Sequence, residues 1–538
     1  MAKTRQNSEA DSHEATAVYA AKLAIGLLLA GVVWCVFFSD VPLNHDDGMF
    51  LHCGELLVEG YLPYVGYVEL NPPMVHYVHA IPALLARWLG FPAPTVFLLC
   101  VLALVVYSAR AVFRMASLPG TPYSRPAVLF LTACWITYTL VIALALGFGQ
   151  REHLFMLVCM PWVYCRIARH EGREVPFAAS LVLGIVAGPF ILFKPHFCVM
   201  VALLEMWMLF RSRRFHTLLL PESVIVAAWT AAYLVHFLFV PAEMRQAFWN
   251  RWMPLTVQHY AAYNTPVDWV ILLSLGVIIA AGLHGIWTAR RLDEPLRLHV
   301  ETLSVGVLAG VLIVIMQHKF WDYHTYPTFG FLCMMFMTRD MARLDSGRNK
   351  QGAPASRYWQ RRRVALVFGV LVIFFPLLAW GLGFPRRSQM REENAQWCAL
   401  IRELARPGEG VAFISSAVPP AYPCMTYTQA PPGTRFLCAF PIPMLYEGTS
   451  GTSGRGFPYH LWAEQPEVER RFLEDLGRDI IERRPRLVMV QAEDAPQACP
   501  PGFRVDEYLR RSGWQEHYTN DYALLKRFRD YLVFRRKS

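Results

Sequence analysis

The feature that most limits what this chain can fold into is a series of apolar stretches near the length of a bilayer core. The first covers 18–38, enough for the roughly 20 residues a spanning helix needs. Others fall near 93–109, 127–146, 152–168, 176–193, 196–210, 220–240, 267–288, 299–317, 321–338 and 365–384. Alternate loops between them carry positive charge: Arg110, Arg114 and Arg125; then Arg166, Arg169 and Arg173; then Arg211, Arg213 and Arg214; then Arg290, Arg291 and Arg297; then Arg339, Arg343, Arg348, Lys350, Arg357 and 361–363. The opposite loops are poor in Lys and Arg, and basic loops face the cytoplasm.

The stretch 74–90 decides the count. It is apolar but short, and it carries His76, His79 and Arg87. Counting it as a span would reverse every later loop. Read as an amphipathic helix in the outer interface, it leaves about eleven spans, with the N-terminus inside and the C-terminus outside. The polar residues 1–16 then form a cytoplasmic tail, and 18–38 reads as an uncleaved signal anchor, since no small-residue cleavage site follows it.

Composition fits this class. Hydrophobic residues make up 55% and charged residues 17%, against roughly 25% charged in a soluble domain. The net charge is +10, but Lys and Arg cluster in those loops, so the sign reads as topology and not as a nucleic-acid surface. Of twelve cysteines, seven lie in apolar stretches (Cys35, Cys100, Cys134, Cys159, Cys165, Cys198, Cys333) and read as small buried hydrophobes. Cys398, Cys424, Cys438 and Cys499 lie in the polar C-terminal part, where a position outside the cytoplasm leaves three disulfide pairings open.

The expected fold is mostly α. A polytopic helical region covers 17–384, with a first outer loop at 39–92, and a small extracytoplasmic α/β domain covers 385–538. In that domain 411–414 and 487–490 read as buried strands, 467–483 has helical periodicity, and 522–525 reads as a last strand.

With this topology, polar residues collect at the outer ends of the spans. The first loop supplies Asp46, Asp47, Glu69 and Asn71. Later loops supply Arg151-Glu152-His153, Lys194-Pro195-His196, His318-Lys319 and Asp322-Tyr323-His324, and the loop after 220–240 supplies Arg245, Arg251, Trp252, His259 and Tyr260. Ionisable groups at membrane depth are costly and usually face a cavity. Each has a plainer reading. Lys194 can snorkel to the interface. Arg151 and Glu152 can pair with each other, and His318 and His324 can bond backbone. One of the two aspartates can cap a helix over 50–58.

Cations at span ends suit an anionic headgroup, most simply a lipid phosphate. A carboxylate nearby suits removing a proton from a hydroxyl. An ordinary Asp, with a pKa of about 3.9, is a weak base, but it suffices when the leaving group is a phosphate whose growing charge the cations stabilise. Glycosyl transfer from a lipid-phosphate sugar fits this set. A lipid-phosphate hydrolase or a carrier needs similar parts.

The run Asp46-Asp47-Gly48, Gly54, Leu56-Leu57, Gly60, Pro63-Tyr64, then Asn71-Pro72-Pro73 and Tyr77, resembles the opening of GT-C class membrane glycosyltransferases. That class includes protein O-mannosyltransferases and the aminoarabinose transferases of lipid A. Lys194 and the stretch 319–327 resemble later landmarks of the class, while 385–538 resembles it only weakly. The resemblance implies a polyprenyl-phosphate sugar donor, reaction on the extracytoplasmic face of a bacterial inner membrane, and inversion at the anomeric carbon. It gives Asp46 the role of base. Asp47 stands where relatives often have Glu. Glu69 matches an acidic residue that binds metal or acceptor in relatives, so a divalent metal stays open although no cofactor is required. Arg151-Glu152 stands near an Arg and Asp of some relatives, with different spacing. Lys194, His196, Lys319 and Arg151 would hold the lipid phosphate, with Glu152, His318, Asp322 and His324 beside them. The acceptor would be a glycan, a lipid or a protein, with membrane lipids as surroundings. No Trp-Trp-Asp motif occurs in 385–538, which argues against transfer of a preassembled glycan to asparagine. Two other functions compete: a flippase of lipid-linked sugar, which needs polar residues along mid-span, and a non-catalytic envelope scaffold.

Overall fold

The computed structural model describes residue 26 and residues 42–143, 147–349, 375–449, 457–492 and 500–537. The tail 1–16, the first expected span, the start of the last one and Cys499 lie outside the described residues. In chain order the longer helices are α1 (His45–Val58), α2 (Met74–Leu89), α3 (Ala93–Ala116), α4 (Arg125–Thr137), α5 (Arg151–His170), α6 (Phe177–Ile191), α7 (Pro195–Ser212), α8 (Pro221–His236), α9 (Trp269–Ala289), α10 (Glu294–Gln317), α11 (Tyr326–Asn349), α12 (Phe375–Leu404), α13 (Ala421–Thr428) and α14 (Glu467–Arg483). The chain divides into two compact units. One takes Leu98–Leu234 and Val267–Ser388, and the other takes Pro42–Phe97, Val235–Pro266 and Gln389–Ser538.

In the first unit the apolar stretches are helical over their described residues. Among the described residues, α3, α9 and α10 are long and apolar enough to cross a membrane, while 127–140 and α6 are apolar but shorter. The expected stretch 321–338 starts differently: Asp322–Thr325 is a 3-10 turn, and α11 begins at Tyr326. Pro327 explains the boundary, because its missing N–H is tolerated only in a helix's first turn.

Helix α10 is the centre of this unit. Of its apolar window 78% is buried, against 11% for α9. It packs on α7, α9 and α11. Gly306 and Gly310, one turn apart, make the α11 crossing close: a Cβ at either would come under 3.0 Å from Phe331 or Thr328. Small residues at such spacing let helices without a hydrophobic driving force between them approach and pack. Gly310→Val is expected to lower stability by about 1–3 kcal/mol, measured by thermal unfolding in detergent. Gly276→Ala, where an added Cβ meets nothing within 4 Å, is the control and should leave it unchanged.

Part of the charge in the basic loops is built into the fold. Arg166 donates to Glu205 at 2.8 Å and to Glu222 at 3.1 Å, with Glu222 fully buried. His299 is also buried, 3.0 Å from Glu171 and 2.7 Å from the Tyr123 hydroxyl.

In the second unit α1 packs on α2 and α13. The sheet has order β1 (Val411–Ile414), β2 (Leu487–Gln491), β4 (Tyr531–Arg536), β3 (Tyr522–Phe528). β1 and β2 are parallel, with Val411 opposite Leu487, and the other pairings are antiparallel. Every residue of β1 and β2 is buried, which is why they read as short continuous apolar runs. The expected last strand, 522–525, extends to Phe528 and turns back into β4. Helix α14 buries Phe472, Leu473, Leu476 and Ile480 on one face, the spacing expected of an amphipathic helix.

Helix α2 buries Met74, Val75, His76 and His79. It leaves Ile81, Trp88 and Leu89 outside, with Trp88 75% exposed. Its outer face therefore remains apolar.

Candidate functional site

The acidic pair of the second unit sits in the first turn of α1. Asn44, not an aspartate, is the N-cap: its Oδ1 accepts from the Asp46 N–H at 3.0 Å. Asp46 and Asp47 follow, 8% and 0% exposed, where the positive end of the helix dipole favours carboxylates. His45 Nε2 is 3.6 Å from Asp46 Oδ1. Gly48 is where α13 presses on this turn. A Cβ there would lie 2.6 Å from Pro423 Cβ, and Thr426 Oγ1 donates to the Gly48 carbonyl at 2.7 Å. The backbone N–H of Leu43 donates to the Tyr427 hydroxyl at 3.1 Å. The Asp-Asp-Gly order thus has a mechanical reason: the acids need the turn, and the turn needs the glycine.

The loop after α1 carries Glu69. Tyr64 has φ 67°, a left-handed conformation unusual for a bulky residue, and neighbours on both sides hold it. Its hydroxyl donates to the Asn71 carbonyl at 2.6 Å, and its carbonyl accepts from Trp252 Nε1 at 3.1 Å. Val68 N–H donates to the Arg435 carbonyl, and Arg483 donates to that of Gly66, both at 2.7 Å. Glu69 accepts from the Asn71 N–H at 2.8 Å and from its side-chain amide at 2.5 Å. His76 Nε2 lies 3.2 Å from Glu69 Oε2, and its Nδ1 lies 3.3 Å from the Tyr67 hydroxyl. Burial pushes the Tyr67 hydroxyl well above its ordinary pKa, so the phenol stays protonated. In the tautomer that satisfies all three groups, Tyr67 donates to Nδ1 and Nε2–H donates to Glu69.

His76 is the residue that sequence reasoning missed. In the sequence it counts only as a polar residue in the stretch 74–90, and its position seven residues after Glu69 says nothing without the fold. His76→Phe leaves a buried carboxylate oxygen and a buried hydroxyl without this partner. It is expected to cost about 1–3 kcal/mol, read as a lowered thermal midpoint of the detergent-solubilised protein.

Of the other residues expected on the outer face, several serve this unit's packing. Arg251 pairs with Asp475 at 2.6 Å and lies over the Trp252 ring at 4.3 Å. His259 faces Glu447 at 3.3 Å, and Arg245 donates to the carbonyls of Phe237 and Leu238.

The first unit gathers the basic candidates around Glu152. Arg151 and Glu152 open α5, and Lys194 is the extended residue before α7. Lys194 Nζ donates to Glu152 Oε1 at 2.5 Å and lies 3.4 Å from Gln317 Oε1. It also stands 5.6 Å from the Tyr323 ring centre. Lys194 is 8% and Glu152 1% exposed, so the lysine turns inward to a buried pair and does not snorkel. The ion pair Glu152 makes thus runs to Lys194, 42 residues along the chain. His324, buried, is 3.9 Å from the same carboxylate oxygen. Lys194, Arg151, His196 and Lys319 are all near enough to act electrostatically on the His324 ring. Lys319 is 2% exposed, whereas His318 and Asp322 are exposed. Gln317 joins the centre without having been singled out by sequence. Three permanent cations thus converge on one region with two imidazoles and the Glu152 carboxylate, a composition suited to a phosphate oxyanion. Among the described residues, no three His, Cys, Asp or Glu side chains gather as metal ligands.

No protein-family model matches the chain, and no curated protein matches it. Solved structures do share its fold. ArnT from Cupriavidus metallidurans in the apo state is 12% identical, with a TM-score of 0.55 over 96% of this chain and 98% of that one. The same protein bound to undecaprenyl phosphate is 13% identical, with a TM-score of 0.52 over 95% of this chain and 97% of that one. The likeness expected from the first loop therefore extends to the fold of nearly the whole chain, which is the fold of ArnT.

Proposed function

We propose that this protein is a polyprenyl-phosphate-dependent membrane glycosyltransferase that moves a sugar to an acceptor hydroxyl on the extracytoplasmic face of a bacterial inner membrane, with inversion. The observation that carries the reading is the buried cation centre around Lys194, in a chain whose fold is shared with a protein crystallised with undecaprenyl phosphate. Asp46 takes the proton from the acceptor hydroxyl. The acceptor oxygen attacks the anomeric carbon from the face opposite the phosphate, the carbon–phosphate-oxygen bond breaks, and the lipid phosphate leaves with the electron pair. Lys194, Lys319 and Arg151 stabilise its charge, and His196 and His324 complete the phosphate's surroundings. Glu69, held by Asn71 and His76, contacts the acceptor.

The test is incubation of the purified protein with a panel of polyprenyl-phosphate sugars and a candidate acceptor mixture, followed by mass spectrometry of the lipid fraction. The expected result is release of free polyprenyl phosphate from at least one donor. Movement of the donor across liposomes without any new glycosidic bond would replace this reading with transport.

A further inference from the structure

We propose that a groove at the C-terminal ends of α1 and α2 holds the headgroup of a phospholipid carrying a primary amine, its phosphate on Arg87 and its ammonium on Glu55 and Glu59. The groove lies wholly within the second unit and has a volume of about 750 Å³, between the last turns of α1 and α2, the entry to α3 and the end of α13. Small-molecule pockets run roughly 300–1,000 Å³.

Its position points to the lipid boundary. The chain leaves α2 through Gly90, at φ 69°, and Phe91-Pro92-Ala93-Pro94 leads into α3, which is long and apolar enough to cross a membrane. The end of a spanning helix lies at headgroup depth, where Trp is enriched. Trp88, Leu89 and Phe91 are exposed beside this entry. Ala83 and Ala86, buried and small, form the α2 wall of the groove.

Electrostatics select the headgroup. Glu55 and Glu59 stand at i and i+4 at the end of α1, where like charges repel. They also sit at the helix's negative end, and no basic residue lies in its last turn. Glu55 is half-buried, with His52 Nδ1 3.4 Å from its Oε2. Glu59 and Arg87 are exposed and both line the groove, yet they form no ion pair with each other or with any other described residue. An ammonium between the two acids relieves their repulsion, while Arg87 takes a phosphate. A lipid with a phosphate alone meets the carboxylates as like charges, and a quaternary amine has no N–H to donate to them.

The full chain, stripped of lipid in detergent, is titrated with phosphatidylethanolamine, phosphatidylcholine and phosphatidylglycerol of identical acyl chains, and bound lipid is read by native mass spectrometry. The expected result is a preference of about tenfold for phosphatidylethanolamine over the other two. Glu59→Gln removes no ion pair and should lower that preference severalfold, and adding Glu55→Gln should abolish it. Arg87→Gln should weaken phosphatidylethanolamine and phosphatidylcholine alike. Equal binding of the three lipids by the unmodified protein, a preference for phosphatidylglycerol or phosphatidylcholine, or an unchanged preference in Glu59→Gln overturns the proposal. No sugar is transferred in this measurement, so its failure would leave the proposed function untouched.

Discussion

Asparagine in place of Asp46 is expected to slow sugar transfer by about 10²–10⁴-fold, the range a positioned general base contributes, while the protein stays folded and binds donor. The helix cap does not depend on the Asp46 carboxylate. Asp46 takes part in the N-cap through its backbone N–H, which Asn44 accepts at 3.0 Å, and that bond survives a change of side chain. Asparagine has nearly the same volume and still suits the first turn of a helix. The clamp on Gly48 from α13 involves the Gly48 carbonyl and Pro423, not the Asp46 carboxylate. What asparagine lacks is the ability to take a proton. The measurement is release of polyprenyl phosphate per enzyme, with thermal unfolding and donor binding followed in parallel. A folded, donor-binding variant that transfers at full rate would remove Asp46 from the chemistry. Asp47→Asn is the informative companion. Asp47 is 0% exposed, so a larger loss there together with lower stability would mark it as support for the turn.

The helices were legible because periodicity and apolar length are local properties of a sequence. The α14 boundaries follow from its stripe of Phe472, Leu473, Leu476 and Ile480, and β1 and β2 follow from short continuous apolar runs. β4 was not legible, because Arg535 and Arg536 end it and its pairing with β2 is settled across the sheet. Partner choice was the other gap. Neighbouring Arg151 and Glu152 suggest each other, but Glu152 points to Lys194. The geometry of α5 against the residue before α7 decides this, and no spacing rule contains it. His76 shows the same limit. As a histidine in an apolar stretch it argued only against a span, and it becomes Glu69's neighbour once the loop folds back under Tyr64. The first loop, Val235–Pro266 and the C-terminal segment likewise pack as one unit through contacts far apart in the chain.

Lys194→Met separates the two things this lysine is proposed to do. Methionine keeps most of the stem and removes the charge, so Glu152 Oε1 loses a partner at 2.5 Å while remaining 1% exposed. Breaking a buried pair from one side costs about 3–5 kcal/mol, and a clear fall in thermal midpoint is expected. Loss of one charge-assisted bond to phosphate should also weaken binding of polyprenyl phosphate by about 10–10²-fold. The second variant is Lys194→Met with Glu152→Gln. Glutamine removes the stranded charge, so most of the lost stability should return. Phosphate binding should stay weak, because the cation is still missing. Isothermal titration with a short-chain polyprenyl phosphate and thermal unfolding of the same samples read the two effects apart. If the double variant binds the lipid phosphate as tightly as the unmodified protein, Lys194 is only the counter-charge of Glu152, and the phosphate must be held elsewhere.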